Sequence, residues 1–311
     1  TGKTPLAIAI ARQLADAGER PVFLTRGFKG RHRGPRWVDA ATDTAAEVGD
    51  EPLLLARIAP VMIARDRRAG AIAIERGNRP ASVIVMDDGL QNPALDKDLA
   101  IAVVDGRRGI GNGAVIPAGP LRAPLAFQLP LADAIVVNQP PATTGGSDSA
   151  PAASAVADEL RRRFAGPLLA ARPAPQGDLA WLSGATVVAY AGIANPDRFF
   201  RLLQTLGATI AARHVFPDHH AFTEADARRL LAEASRHQAR LVTTEKDLVR
   251  LAGLGGARAQ VRNASAALAI ALVFGEDDAA RLADLLVRAI RSHGDHLEVA
   301  PAGRSPRTPS R

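Results

Sequence analysis

Thr1-Gly2-Lys3-Thr4 leads directly into Pro5-Leu6-Ala7-Ile8-Ala9-Ile10-Ala11-Arg12-Gln13-Leu14-Ala15-Asp16-Ala17-Gly18. Gly2-Lys3-Thr4 is the last third of the pattern G-x-x-x-x-G-K-[ST], whose first glycine would precede Thr1. In that pattern backbone N–H groups cradle phosphates, the Lys reaches the β- and γ-phosphates, and the Thr hydroxyl binds Mg²⁺. The residues that follow suit it. Pro5 sits where a helix begins and Gly18 where one ends, and a helix N-terminus adds partial positive charge facing an anion. The tripeptide alone matches many chains by chance, so its neighbours decide the matter.

Working outward, Pro21-Val22-Phe23-Leu24-Thr25 reads as a short apolar strand running into the basic, glycine-rich loop Arg26 to Gly34. Helices are expected over 51–59 and 65–78, and strands over 61–64, 82–86, 99–105 and 134–138. The strand at 82–86 ends at Asp87-Asp88-Gly89. That is the form of an acidic strand end supplying a carboxylate to a Mg²⁺ shell, although Asp-Gly is also a common turn dipeptide. Near-continuous apolar strands alternating with helices specify an α/β fold with a mostly parallel sheet flanked by helices, of the P-loop NTPase type.

Residues 140–153, rich in Pro, Ala, Gly, Ser and Thr, read as a flexible loop. A helix over 156–164 follows. A second α/β unit then begins, with strands at 187–193 and 240–244 and a helix over 195–206. The expected organisation is a kinase-type domain over 1–175, a smaller α/β domain over 176–300 and a disordered tail over 301–311.

The chain has 311 residues, of which 47% are hydrophobic and 23% charged, the balance of a folded domain protein. Aromatics are only 4%, so the core must be built from Ala, Leu, Val and Ile. With no cysteine, a disulfide framework, a thiolate zinc site and a cysteine nucleophile are all excluded. The formal net charge of +7 suits an anionic partner: nucleotide, nucleic acid or acidic membrane surface. Scarce aromatics and the lack of a basic recognition module argue against nucleic acid. No stretch approaches the roughly 20 apolar residues a membrane-spanning helix needs.

Three further stretches carry candidate chemistry. Val48-Gly49-Asp50-Glu51-Pro52 reads either as helix capping, with Asp50 near the N-cap, or as a general base for an acceptor hydroxyl. Phe216-Pro217-Asp218-His219-His220-Ala221-Phe222 is either a polar loop ahead of a helix starting near Thr223 or an acid–base pair. Arg107 to Gly113, continued by Pro117 to Arg122, is a basic loop after a strand, either solvated or anion-binding.

Taken in order, Thr1 to Pro5, Thr25-Arg26-Gly27-Phe28, Val48 to Pro52, Asp66-Arg67, Asp87-Asp88-Gly89-Leu90-Gln91, Gly111-Asn112-Gly113 and Pro117 to Arg122 closely resemble the tetraacyldisaccharide 4'-kinase family. Asp218-His219 and Thr244-Glu245-Lys246-Asp247 continue the resemblance, which spans residues 1 to about 250. It implies an ATP- and Mg²⁺-dependent enzyme that phosphorylates the 4'-hydroxyl of a lipid A disaccharide precursor at the cytoplasmic face of the bacterial inner membrane. On that pattern Thr1, Gly2, Lys3 and Thr4 hold ATP phosphate. Thr4, Asp87 and Asp88 hold the metal, and Asp50 is the base with His219 as its dyad partner. Arg26, Arg67, Gln91 and Arg122 are implied to line the substrate cleft. The family also carries an N-terminal hydrophobic helix that docks on the membrane, expected ahead of Thr1. Two positions depart from the pattern: Asn92 stands where His is usual, and Ala123 where Glu is common. The basic loops at Lys29 to Arg33 and Arg107-Arg108 are expected to meet anionic lipid, and no protein partner is expected. The rival reading is a P-loop ATPase acting as a switch or assembly factor, with water as the nucleophile.

Overall fold

The structure, a computed structural model, describes residues 2–139 and 149–297, with the backbone alone at 149–153 and 292–297. Thr1, the first nine residues of the loop expected at 140–153, and the tail expected at 301–311 lie outside the described residues.

The first part of the chain runs through α1 (Lys3–Asp16), β1 (Pro21–Thr25), β2 (Arg36–Trp37), α2 (Ala45–Val48), α3 (Asp50–Leu55) and β3 (Val61–Ile63). It continues with α4 (Arg67–Glu75), β4 (Val83–Met86), β5 (Ile101–Asp105), α5 (Leu125–Gln128) and β6 (Ala134–Asn138). Next come α6 (Ser149–Arg161), β7 (Leu168–Gln176), β8 (Thr186–Ala191), α7 (Pro196–Thr205) and β9 (Thr209–Val215). The described chain closes with α8 (Glu224–Arg236), β10 (Arg240–Thr244), α9 (Glu245–Arg250), α10 (Gly256–Ala264), β11 (Ser265–Phe274) and α11 (Glu276–Leu297).

Two sheets result. A four-stranded sheet has the order β2-β3-β1-β4, with β1 parallel to both β3 and β4 and the short β2 antiparallel at the edge. A seven-stranded sheet has the order β5-β6-β7-β11-β10-β8-β9, parallel throughout except where β7 meets β11. Every residue of β1 is buried, as an unbroken apolar run covered on both faces must be. α1 lies between the sheets: Leu6, Ala11 and Leu14 share one core with Phe23 and Val85 of the smaller sheet and Val136, Leu169 and Leu272 of the larger. The division expected near residue 175 falls at the end of β7, and the seven-stranded sheet runs through it by way of the β7–β11 pairing.

Some elements differ from the sequence reading for local reasons. α6 starts at Ser149, so residues 149–153 are helical, not loop; an alanine-rich stretch with Pro151 in its first turn favours this. α4 starts only at Arg67, because Asp66 caps it by accepting the Ala69 N–H. β7 went unread because Pro173 and Pro175 argue against a strand. Pairing with β6 stops at Ala171, so among the described residues no neighbour on that side needs the missing N–H groups, while β11 continues alongside to Gln176.

Candidate active site

The C-terminal ends of parallel strands are where open α/β sheets build their sites, and Arg26, Arg67 and Asp87-Asp88 follow the ends of β1, β3 and β4. Gly2 caps α1 in a left-handed conformation (φ 101°) that a residue with a Cβ adopts at a cost. Across from this turn, β4 delivers Asp87 and Asp88. The Thr4 hydroxyl donates to Asp87 Oδ2 at 2.9 Å, and Lys3 Nζ donates to Asp88 Oδ1 at 2.5 Å. Burial and the nearby charge of Glu51 push the Asp87 carboxyl up to about 6. Burial acts on Asp88 too, but Lys3 and Arg122 outweigh it and hold that carboxyl below its ordinary value. Asp88 is also one of the few non-glycine residues at positive φ (59°), a strained backbone of the kind that collects at functional sites.

The second cluster joins distant parts of the chain. Asp50 opens α3 directly after Gly49, where its side chain faces inward and is nearly fully buried. His219, itself in the left-handed region (φ 62°), brings Nδ1 to 2.9 Å from Asp50 Oδ2. Arg250 at the end of α9 donates to the same oxygen from Nε (2.9 Å) and Nη2 (2.6 Å). Its Nη1 donates to the Gly192 carbonyl (2.6 Å) and to Asp247 Oδ1 (2.7 Å). Burial raises the Asp50 pKa, but the charge and hydrogen bonds of Arg250, helped by His219 and Lys246, bring it below the ordinary value. For Asp247 burial wins and the carboxyl is raised. One residue beyond Asp50, Glu51 accepts from Lys246 Nζ at 3.0 Å, and Glu51 is also felt by Asp87. Glu51 thus links the two clusters.

The two adjacent histidines go separate ways. His220 turns its Nε2 to Asp226 Oδ2 (2.9 Å) and stacks on Phe216, inside the capping box that starts α8 at Thr223. Asp218 stays at 3.9 Å from His219 Nε2 and is half exposed.

The residues read as substrate-lining are placed as follows. Arg67 is buried at the start of α4, with Nη1 donating to the Ala64 carbonyl and Nε without a hydrogen-bond partner. Burial lowers its pKa, and it feels the charges of Asp88, Arg26 and Asp87. Arg122 meets both oxygens of Asp88 at 3.0 Å. Gln91 donates to Gln128, which in turn donates to the Ala123 carbonyl. Arg26 is exposed. At the departing positions, Asn92 folds onto its own loop by accepting the Ala94 N–H and offering its carbonyl to Lys97.

Among the described residues no three His, Cys, Asp or Glu side chains form a ready-made metal cage. Mg²⁺ does not need one: it is commonly held by one or two carboxylates, with waters and substrate phosphates completing its shell. Thr4 with Asp87 and Asp88, at the N-terminus of α1, fits that chemistry.

Sequence reasoning gave no role to Arg250, Asp247 or Lys246. Arg250 sits in a six-residue helix with its carboxylate partner 200 positions away, so no local spacing announces it.

A P-loop-type helix start, an acidic strand end and a buried carboxylate–imidazole pair linked to them through Glu51 fit an α/β protein equipped for phosphoryl transfer. The family model for tetraacyldisaccharide-1-P 4'-kinase matches residues 1–291. A tetraacyldisaccharide 4'-kinase from Rhodopseudomonas palustris (strain BisB5) is 48% identical over 290 residues, 93% of this chain and 81% of its own length. One from Methylorubrum extorquens is 49% identical over 277 residues, covering 89% of this chain and 79% of its own. The chain belongs to the tetraacyldisaccharide-1-P 4'-kinase family, whose members are phosphotransferases with an alcohol acceptor. Its fold is shared with LpxK from Aquifex aeolicus, solved in complex with ATP. The TM-score is 0.67 at 23% identity, over 93% of this chain and 84% of that one.

Proposed function

We propose that this chain transfers the γ-phosphoryl group of ATP to the 4'-hydroxyl of a tetraacyldisaccharide 1-phosphate, a step of lipid A biosynthesis. The observation that carries the reading is the 2.9 Å contact between Asp50 and His219 beside the Lys3–Asp88 cluster. A buried, ionised carboxylate oriented by an imidazole is what an attacking hydroxyl needs, and the P-loop end is what the phosphates need.

In this mechanism Thr1, Gly2, Lys3 and Thr4 hold the ATP phosphates. Thr4, Asp87 and Asp88 would hold Mg²⁺, which when bound neutralises phosphate charge. Asp50 accepts the hydroxyl proton while the 4'-oxygen forms its bond to the γ-phosphorus. The bond from that phosphorus to the β,γ-bridging oxygen breaks, and ADP departs with the electron pair. His219 holds Asp50 in register. Lys3 stabilises the charge that develops on the transferred group, the largest single source of rate in such reactions. Arg26, Arg67, Gln91 and Arg122 face the disaccharide and its phosphate. Asp50 comes from the first part of the chain, 1–175, and His219 from the second, 176–300, and the contact between them brings both to one site.

We assign the enzyme to the cytoplasmic face of the inner membrane, a reading supported by an acylated substrate held in a bilayer and by the need for ATP. No helix among the described residues is long and apolar enough to cross a membrane. The basic loops at Lys29 to Arg33 and Arg107-Arg108 suit anionic headgroups. Unchanged binding to anionic vesicles after those charges are removed would refute that part.

The family match supports transfer to an alcohol and not the reading with water as the nucleophile. The test is γ-labelled ATP with the disaccharide monophosphate in detergent micelles. Label on the glycolipid is expected; label found only as free phosphate would exclude the kinase reading.

A further inference from the structure

Asp50 Oδ2 receives three hydrogen bonds, from His219 Nδ1, Arg250 Nε and Arg250 Nη2. Asp50 Oδ1 receives one, from the Glu51 backbone N–H at 3.0 Å. A carboxylate oxygen has about two lone-pair sites, so Oδ2 is saturated and Oδ1 keeps capacity. Arg250 is itself pinned. Its side chain is 4% exposed, and its remaining nitrogen is held by the Gly192 carbonyl and by Asp247. Asp247 is fixed in turn by the Thr244 hydroxyl (2.6 Å) and the Gly192 N–H (3.1 Å). A planar guanidinium fork anchored on both sides has one orientation, and a carboxylate clamped by it has one as well.

Resting on the reading of Asp50 as the base, we infer that Arg250 is a positioning residue for phosphoryl transfer: with His219 it occupies Asp50 Oδ2 and leaves Oδ1 as the atom that takes the hydroxyl proton. The role is more than packing. The charged groups around Asp50 are Arg250, Lys246 and Asp247 on α9, His219 on its loop and Glu51 beside it. Glu47 on α2 is turned to Arg31, Glu245 to Arg57, and Lys3 on α1 to Asp88. Among the described cations Arg250 alone touches Asp50 twice, so it has most control over whether Asp50 stays ionised as well as over its direction.

The test compares Arg250→Lys and Arg250→Ala with the unaltered enzyme, with melting temperature as a folding control. Lysine keeps the charge but cannot bridge Asp50, Gly192 and Asp247 together. For Arg250→Lys, kcat should fall about 10–100-fold, less than the roughly 10²–10⁴-fold of general-base catalysis because the base itself is kept, while KM for ATP and for the glycolipid stay within about threefold. In Arg250→Ala the acid limb of the kcat–pH profile should move upward, because Asp50 loses the cation that keeps it ionised. Added guanidinium should restore part of the rate. A kcat within about twofold of wild type for Arg250→Lys, with a superimposable pH profile, would overturn the inference. Asp50→Asn is run in parallel. If it stays fully active, the reading of Asp50 as base fails; if it is inactive while Arg250→Lys is normal, only the role of Arg250 fails.

Discussion

Lys3 Nζ lies 2.5 Å from Asp88 Oδ1, so the P-loop lysine is engaged by the acidic strand end it faces. Arg122 shares the same carboxylate, and both pairs are partly exposed. A nucleotide phosphate must take Lys3 from Asp88 in order to bind. Asp88→Asn should therefore tighten metal-free ATP about 2–5-fold, the scale of an exposed ion pair given up, and lower kcat because a carboxylate is lost at the metal position. Calorimetric titration without divalent cation checks the first half. Unchanged or weaker binding would show that the pair does not compete with phosphate.

The two histidines should separate cleanly. His219→Ala is expected to lower kcat about 10–100-fold with little change in either KM. His220→Ala should leave turnover near wild type but cost about 1 kcal/mol of stability through its bond to Asp226 and its stacking on Phe216. Asp218→Asn, 3.9 Å from His219 and half exposed, should change the rate less than about threefold. Steady-state kinetics and denaturant unfolding on the three variants read this out.

Arg67 makes a different prediction. Its buried Nε lacks a hydrogen-bond partner and its neighbours include Asp87 and Asp88. A buried guanidinium with a spare donor suits an anionic or hydroxylic ligand. Arg67→Met should raise KM for the glycolipid about tenfold or more, the cost of one charge-assisted hydrogen bond, and leave KM for ATP within about twofold. The reverse pattern would place Arg67 on the nucleotide side.

Gly30 governs Asp50 from outside the site. A Cβ there would stand 2.6 Å from the Val48 carbonyl carbon and 2.8 Å from both Glu47 O and Gly49 N, all backbone atoms of the segment that leads into Asp50. Gly30→Ala should destabilise the protein by about 1–3 kcal/mol and lower kcat through displacement of Asp50. An unchanged unfolding midpoint would contradict the packing.

How much could be read from the chain follows from what local spacing encodes. Gly2-Lys3-Thr4 and Asp87-Asp88 were legible because their chemistry depends on adjacent residues next to a helix start and a strand end. The parallel sheet was legible from apolar runs such as Val22 to Leu24. β7 was hidden because its prolines fail only against a partner on the side where none stands among the described residues. Arg250 and Lys246 were hidden because their meaning comes from Asp50 and Glu51, about 200 residues earlier in the chain. Asp50 itself satisfied both a helix-start reading and a base reading. The geometry puts it at the start of α3 and inside the buried network at once, with no side-chain cap to that helix.

The central claim is that Asp50 takes the proton of the acceptor hydroxyl. The most direct measurement is single-turnover γ-phosphoryl transfer to the glycolipid by Asp50→Asn, with ATP binding measured on the same sample. The expected result is a rate about 10²–10⁴-fold below wild type, the usual contribution of a positioned base, with ATP affinity within about threefold. Transfer at a near-wild-type rate with ATP bound would contradict the account.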